Sequence, residues 1–436
     1  MTERHHLGPY LGLAGLIVGT IASAAPAPLE NNPKAILDEA WQIVNTHYVD
    51  PQFNRVNWQK VRQDLLSREY TSKAQAYAAL RAALQRLGDP YTRFLDPQEL
   101  QALTNQTAGE FSGVGVRLRL DDAQEPPRLQ IADVLENSPA AQAGLQAGDE
   151  LISIAGRSTR GMTLEDASRL LRGPAGTVLR LEIRRPGDTE TRSLQITRAW
   201  IETPVVDYTL KREQGRAIGL IRLQGFNAHA AEQMRKALQA LQQQGAQAYI
   251  LDLRGNPGGL LSASIEITRM WLSQGRIVST VGRQGEREVF QANGTAFVQE
   301  PLAVLVDHRS ASASEILAGA LQDHKRAVVI GTPTFGKAVV QAVHRLSDGS
   351  GLTVTVAHYY TPSGRDIARK GIHPNLVVAM SRAERQSLPE RLADTTPRRD
   401  PVYARAVEWL TKTLAGQRTR PTSYQSRTST VPRPSS

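Results

Sequence analysis

Pro301-Leu302-Ala303-Val304-Leu305-Val306-Asp307-His308-Arg309-Ser310-Ala311-Ser312-Ala313-Ser314-Glu315-Ile316-Leu317 reads as a buried strand that passes through a short turn into a helix. Pro301 to Val306 is an unbroken apolar run of strand length, and Ile316, Leu317, Ala320 and Leu321 recur at helical spacing. Upstream, the apolar runs Ala217 to Arg222 and Ala248 to Asp252 flank a helical pattern from about Ala228 to Gln243. Strands alternating with helices predict an α/β core. Three small serines at one strand-to-helix turn also suggest chemistry. A hydroxyl becomes a nucleophile when a neighbouring base takes its proton, and a neutral lysine amine can be that base. Thr334-Phe335-Gly336-Lys337 supplies a lysine downstream.

Lys337 can act near pH 7 to 8 only if its pKa falls by roughly 3 units, about 4 kcal/mol. Burial or nearby positive charge does this. Phe335, Ala338, Val339 and Val340 are the apolar neighbours expected to desolvate it. A plainer reading stands beside this one. Ser312-Ala313-Ser314-Glu315 fits a capping box, in which Ser312 only starts the helix, and a lysine after glycine is an ordinary solvated loop residue.

The two segments, with their surroundings, resemble the carboxyl-terminal processing peptidases, a serine peptidase family with a Ser-Lys catalytic pair. The likeness runs through Asp89-Pro90-Tyr91-Thr92-Arg93-Phe94-Leu95, Phe111-Ser112-Gly113-Val114-Gly115-Val116 and Asp252-Leu253-Arg254-Gly255-Asn256-Pro257-Gly258-Gly259-Leu260. It ends in Asp348-Gly349-Ser350-Gly351-Leu352, Tyr360-Thr361-Pro362 and Gly371-Ile372-His373-Pro374. The resemblance implies Ser312 as nucleophile, Lys337 as general base and Gln341 as the residue that orients the lysine. If 337 to 341 is extended, residues four apart share a face, which suits that role. The backbone amides of Gly258 and Ala313 are the implied oxyanion donors.

Three positions depart from the family pattern. Asp307-His308-Arg309 stands where Asn, any residue and Gly are usual, and Ala338 where glycine is usual. An unwanted charge at Asp307 and lost backbone freedom at Arg309 and Ala338 are the expected consequences.

Residues 108–198 read as a PDZ domain. Gly113-Val114-Gly115-Val116 is its expected peptide-binding loop, offering backbone donors to a terminal carboxylate while the peptide adds as a strand to a sheet edge. Leu164, Ala167, Leu170 and Leu171 make an apolar helical stripe. Arg172, at its end, is the regulatory residue, a cation expected to sense bound peptide.

The 436 residues exceed one usual domain. Arg4, the apolar Leu11 to Ala25 and Ala22-Ser23-Ala24 predict a signal peptide over 1–24, a run short for a spanning helix, with retention as an uncleaved anchor the alternative. Residues 32–106 form a helical amino-terminal region with Trp41 and Trp58 as packing residues, 199–416 the peptidase core, and 417–436, rich in Ser, Thr, Pro and Arg, a disordered tail. The fold expectation is multidomain α/β, with the PDZ domain inserted between the helical region and a core related to the Clp protease and crotonase group.

Without cysteine there are no disulfides or cysteine chemistry. The nine histidines lack zinc-ligand spacing, and the net charge of +10 accompanies no nucleic-acid motif, so neither metal, cofactor nor nucleic acid is expected. The charge suits an anionic membrane surface or a merely solvated one. The resulting expectation is an exported endopeptidase, of the periplasm or thylakoid lumen, acting on proteins with exposed C-terminal tails and pairing as a homodimer. The alternatives are a catalytically impaired PDZ binding protein and an export-pathway scaffold built on the helical region.

Overall fold

The computed structural model describes residues 17–18, 32–121, 125, 127–389 and 391–418. The chain divides into two compact units, Met1–Phe94 with Val205–Phe226 and Ala230–Ser436, and Leu95–Pro204 with Asn227–His229.

The first unit is built on a six-stranded sheet. Val206–Glu213 pairs antiparallel with Arg216–Leu223, and Ala248–Asp252, Leu302–Val306, Ala327–Gly331 and Leu376–Val377 follow in parallel. The strands 248–252, 302–306 and 327–331 are buried at every residue, which is why they read as continuous apolar runs rather than alternating ones. Alternation decides only which cover each side chain meets. Tyr249, Leu251, Val304 and Val306 join the core beneath helices Ala230–Gln243, Leu261–Trp271 and Ala313–Asp323. Ala248, Ile250, Ala303 and Leu305 face the other core, covered by helix Pro401–Arg418.

A second sheet runs in the order Val339–Arg345, Gly351–Tyr360, Arg276–Gly282, Arg287–Gln291, with Arg93–Leu95 also pairing to 351–360. Its Leu352 and Val354, with Leu346, complete the core of helices Pro33–His47, Trp58–Ser67 and Lys73–Gln85. Trp41 and Trp58 are buried there, and each indole N–H donates to the other's backbone carbonyl, at 2.8 and 3.4 Å. The expected helical region 32–106 is therefore divided. Helices up to residue 85 share a core with the second sheet, whereas helix Pro97–Ala108 belongs to the other unit.

The second unit holds a sheet ordered Val116–Asp121, Arg128–Val134, Glu150–Ile154, Val178–Arg184, Arg192–Thr197, with Arg157–Ser158 pairing to 150–154. A separate ribbon pairs Glu110–Gly113 with Ala199–Glu202. Helix Leu164–Leu171 is capped by the Thr163 hydroxyl and buries Ala167 and Leu171.

The signal peptide expected over 1–24 lies outside the described residues except Ile17–Val18, a short strand pairing with Ala342–Val343. Helix Pro401–Arg418 carries the fold two residues into the expected tail 417–436, and 419–436 lie outside the described residues. No helix among the described residues is long and apolar enough to cross a membrane.

Candidate active site

Two loops leave the carboxyl ends of neighbouring parallel strands, 253–259 after Ala248–Asp252 and 307–312 after Leu302–Val306. They are stitched together. Gly255 N–H donates to Asp307 Oδ1 at 2.9 Å and Ala311 N–H to the Asn256 carbonyl at 3.0 Å. Ser310 Oγ donates to the Leu253 carbonyl at 2.8 Å and Ser314 Oγ to the Asn256 carbonyl at 3.0 Å. Two of the three serines are thus spent on holding the loops. Ser312 is 1% exposed and its Oγ has no partner among the described residues.

Ser312 and Glu315 keep the outline of a capping box, but its serine half is not a hydrogen bond. Glu315 N–H goes to the Ser312 backbone carbonyl at 2.8 Å, and the hydroxyl is left without a partner. The carboxylate half is bonded, with Ser312 N–H donating to Glu315 Oε2 at 2.8 Å. Ser312 also sits at φ 55°, ψ −114°, a region that costs an L-residue of order 1–3 kcal/mol and persists where the surroundings over-determine it. A sharp, strained strand-to-helix turn that presents an unpaired hydroxyl is the arrangement a nucleophile requires.

Glu315, fully buried, joins this turn to the lysine. The same Oε2 accepts Lys337 N–H at 2.9 Å, while Oε1 accepts Gly336 N–H at 2.7 Å and the Thr334 hydroxyl at 2.6 Å. Burial pushes the Glu315 carboxyl up, and these four donors oppose that. On the other side, the Tyr359 hydroxyl contacts the backbone carbonyls of both Ser312 (3.2 Å) and Lys337. Serine and lysine are therefore bridged twice through their backbones, with no hydrogen bond to Ser312 Oγ itself.

Burial brings the Lys337 amine down from its ordinary 10.5 to about 8, helped by the Arg93 guanidinium and opposed by Asp89 and Glu315. Its Nζ lies 4.7 Å from the centroid of the Tyr91 ring, a contact that favours the ammonium. The expected apolar neighbourhood needs one correction. Phe335 is 54% exposed and does not close over the amine, whose surroundings include Tyr91 and Arg93 from a distant segment.

Gly258 lies against Ser312, where an added Cβ would stand 2.7 Å from the Ala311 carbonyl oxygen and 2.9 Å from Ser312 Cβ, at φ +101°. Its N–H, however, donates to Asn256 Oδ1 at 2.9 Å, while the Asn256 amide is anchored on the Leu223 carbonyl. Ala313 begins its helix, where the N–H has no intrahelical acceptor. Gln341 is 3% exposed with Nε2 unpartnered, opposite Thr355. Its geometry differs from the continuous extension assumed for 337–341. The strand starts at Val339, and its ladder shifts register between Val340 and Gln341.

The departures at 307–309 and 338 are accommodated. Asp307 Oδ1 accepts the N–H groups of Gly255, Arg309 and Ser310, so its charge is held by backbone donors. Neither Arg309 nor Ala338 has a positive φ, so neither position demands glycine.

In the second unit, Val114 is buried and its carbonyl accepts Ala140 N–H, while Gly115, at φ +88°, accepts Leu135 N–H. Val116 opens strand Val116–Asp121, an edge strand with helix Leu164–Leu171 packed against it. Arg172 caps that helix with its guanidinium 5.8 Å from the centroid of the Phe111 ring. Among the described residues no group of three His, Cys, Asp or Glu is gathered to hold a metal.

Sequence reading missed Glu315, Tyr359, Tyr91, Arg93 and the stitching by Asp307. The Asp89 to Leu95 and Tyr360 to Pro362 motifs were the signal, without a role attached.

Known proteins share this architecture. The model of peptidase family S41 matches residues 217–378, and that of a PDZ domain residues 130–185. A carboxyl-terminal-processing protease of Synechocystis is 41% identical over 396 residues, 89% of this chain and 91% of its own. That of Picosynechococcus is 44% identical over 343 residues, 79% and 82%. Among solved structures, a photosystem II D1 C-terminal processing protease has a TM-score of 0.53 at 37% identity, covering 83% of this chain and 96% of its own.

Proposed function

The chain belongs to the carboxyl-terminal-processing proteases, serine-type peptidases of family S41 with a PDZ domain, and from that we propose an exported endopeptidase that engages protein C-terminal tails and cuts with a Ser312–Lys337 pair. The observation that carries the pair is the unpartnered Ser312 hydroxyl beside two serines whose hydroxyls are engaged.

In this reading Ser312 Oγ attacks the scissile carbonyl carbon as its proton passes to the neutral Lys337 Nζ. The Ala313 N–H, joined by Gly258, stabilises the oxyanion. The tetrahedral intermediate collapses, Lys337 returns the proton to the leaving amine, and the carboxyl-terminal fragment departs. Water, deprotonated by the same lysine, then attacks the acyl ester, and as the bond to Ser312 Oγ breaks the lysine returns that proton to the serine. Glu315 and Tyr359 hold the two backbones in register, and Gln341 orients the amine. The edge strand Val116–Asp121 and the loop 113–116 receive the tail as an added strand, and Arg172 couples that capture to activity. Pairing through the helical region and attachment to an anionic membrane surface complete the proposal.

The test is mass spectrometry of an unfolded protein ending in small or apolar residues, digested by the chain lacking 1–24. Cleavage near the carboxyl terminus, lost in Ser312→Ala and in Lys337→Ala, is the expected result. Equal cleavage by all three proteins sinks it. One observation favours a second reading, a PDZ binding protein with impaired turnover. The Gly258 N–H is already engaged by Asn256, leaving the oxyanion site one donor short. Tail binding without cleavage is its signature.

A further inference from the structure

The carboxyl ends of the parallel strands in the first unit open onto a cavity of about 210 Å³. Open α/β sheets bind ligands at this end of their strands. Part of the lining is apolar, Val306, Val378, Met380 and Val402 among it, and much of the rest carries charge. Arg254 is committed to Asp252 and Asp400, at 2.8 and 2.7 Å. Arg222 stands 3.8 Å from Asp252. Asp307 spends Oδ1 on three backbone N–H groups, and only a 3.5 Å contact links its other oxygen to Arg309, which is largely exposed. Arg385, also exposed, donates to the Met380 carbonyl, and His308 and Thr332 belong to the polar part of the lining.

We propose that this cavity binds a small organic acid, its carboxylate on Arg309 and Arg385 and its apolar body on Val306, Val378, Met380 and Val402. The chemistry follows from the lining. Asp252 has Arg254 and Arg222 beside it and Asp307 has its backbone donors, so the two exposed arginines of the lining, Arg309 and Arg385, are the cations least committed to its acidic groups. A cavity of roughly 150 Å³ already accepts a benzene-sized molecule, so this one has room for a leucine-sized side chain with its carboxylate. The terminal residue of a peptide has that form. Identifying the occupant as the tail released by cleavage rests on the proposed peptidase activity; the binding itself does not. The bound acid touches His308 and Arg309, in the turn that leads to Ser312, from the side where Asp307 ties that turn to the Gly255 loop.

The experiment is calorimetric titration of the full chain carrying Ser312→Ala, which binds without turnover, with N-acetyl-L-leucine. N-acetyl-L-leucinamide and inorganic phosphate are the comparison probes. The acid binds, the amide and phosphate each bind at least roughly tenfold more weakly, and both Arg309→Gln/Arg385→Gln and the cavity-filling Met380→Trp weaken the acid by at least roughly tenfold. Urea midpoints confirm that the variants are folded, and an Arg309→Lys/Arg385→Lys variant that retains binding answers for any Met380→Trp that is not. Equal binding of the amide or of phosphate, or undiminished binding in the folded arginine variant, overturns the proposal. Retention in folded Met380→Trp does so too, since it puts the acid elsewhere.

Discussion

At the scale of single residues, the chemistry turns on which groups are left without a partner. Ser310 and Ser314 are engaged, Ser312 is not, and Lys337 is brought down to about 8 by burial. In the proposed mechanism the amine, not the ammonium, is the base. The proposed activity should therefore rise with pH, kcat/KM climbing from about a tenth of its plateau at pH 7 and levelling above pH 9. A profile flat from pH 6 to 9 would remove lysine from the base role. Glu315 gives a second test. Glu315→Gln removes an anion that raises the lysine and an acceptor shared by both backbones. It should lower kcat about 10²-fold and move the ascending limb to lower pH, a shift that a purely structural role would not produce. Ser312 and Lys337 were legible because the proposed chemistry needs their side-chain types. Glu315 and Tyr359 were not, since they act on backbone groups of segments far apart in the chain.

At the scale of elements, buried electrostatics lock the loop of Gly258 to the sheet. Arg254 bridges Asp252, at a strand end, and Asp400, whose carboxylate also accepts the Val402 and Tyr403 N–H groups at the start of the final helix. All three are nearly buried. Arg254→Ala leaves Asp400 without a cation and Asp252 with only Arg222 at 3.8 Å, and should cost about 3–5 kcal/mol, read as a large fall in the urea midpoint. A change under about 1 kcal/mol would mean the network is solvated. The strands 248–252 and 302–306 were readable because burial on both faces leaves unbroken apolar runs. Gln341 was harder, because a register irregularity precedes it and alternation cannot be carried across.

At the scale of the whole molecule, the amino-terminal helices are not a separate body. Their core is finished by Leu346, Leu352 and Val354, which no local pattern could reveal. The PDZ module was readable from its glycines and apolar stripe, and Gly115 gives its test. An added Cβ would stand 2.3 Å from Ser138 Cβ at φ +88°, so Gly115→Val should distort the loop. Preference for a free over an amidated tail should collapse toward unity while cleavage of a generic unfolded chain persists. An unchanged preference would put tail recognition elsewhere. The central claim remains that Ser312 is a nucleophile made reactive by Lys337. A fluorophosphonate probe, with the adduct located by peptide mass spectrometry, tests it most directly. The account predicts modification at Ser312 alone among the three serines, and its loss in Lys337→Ala. An adduct on Ser310 or Ser314, or one at Ser312 undiminished without the lysine, would contradict it.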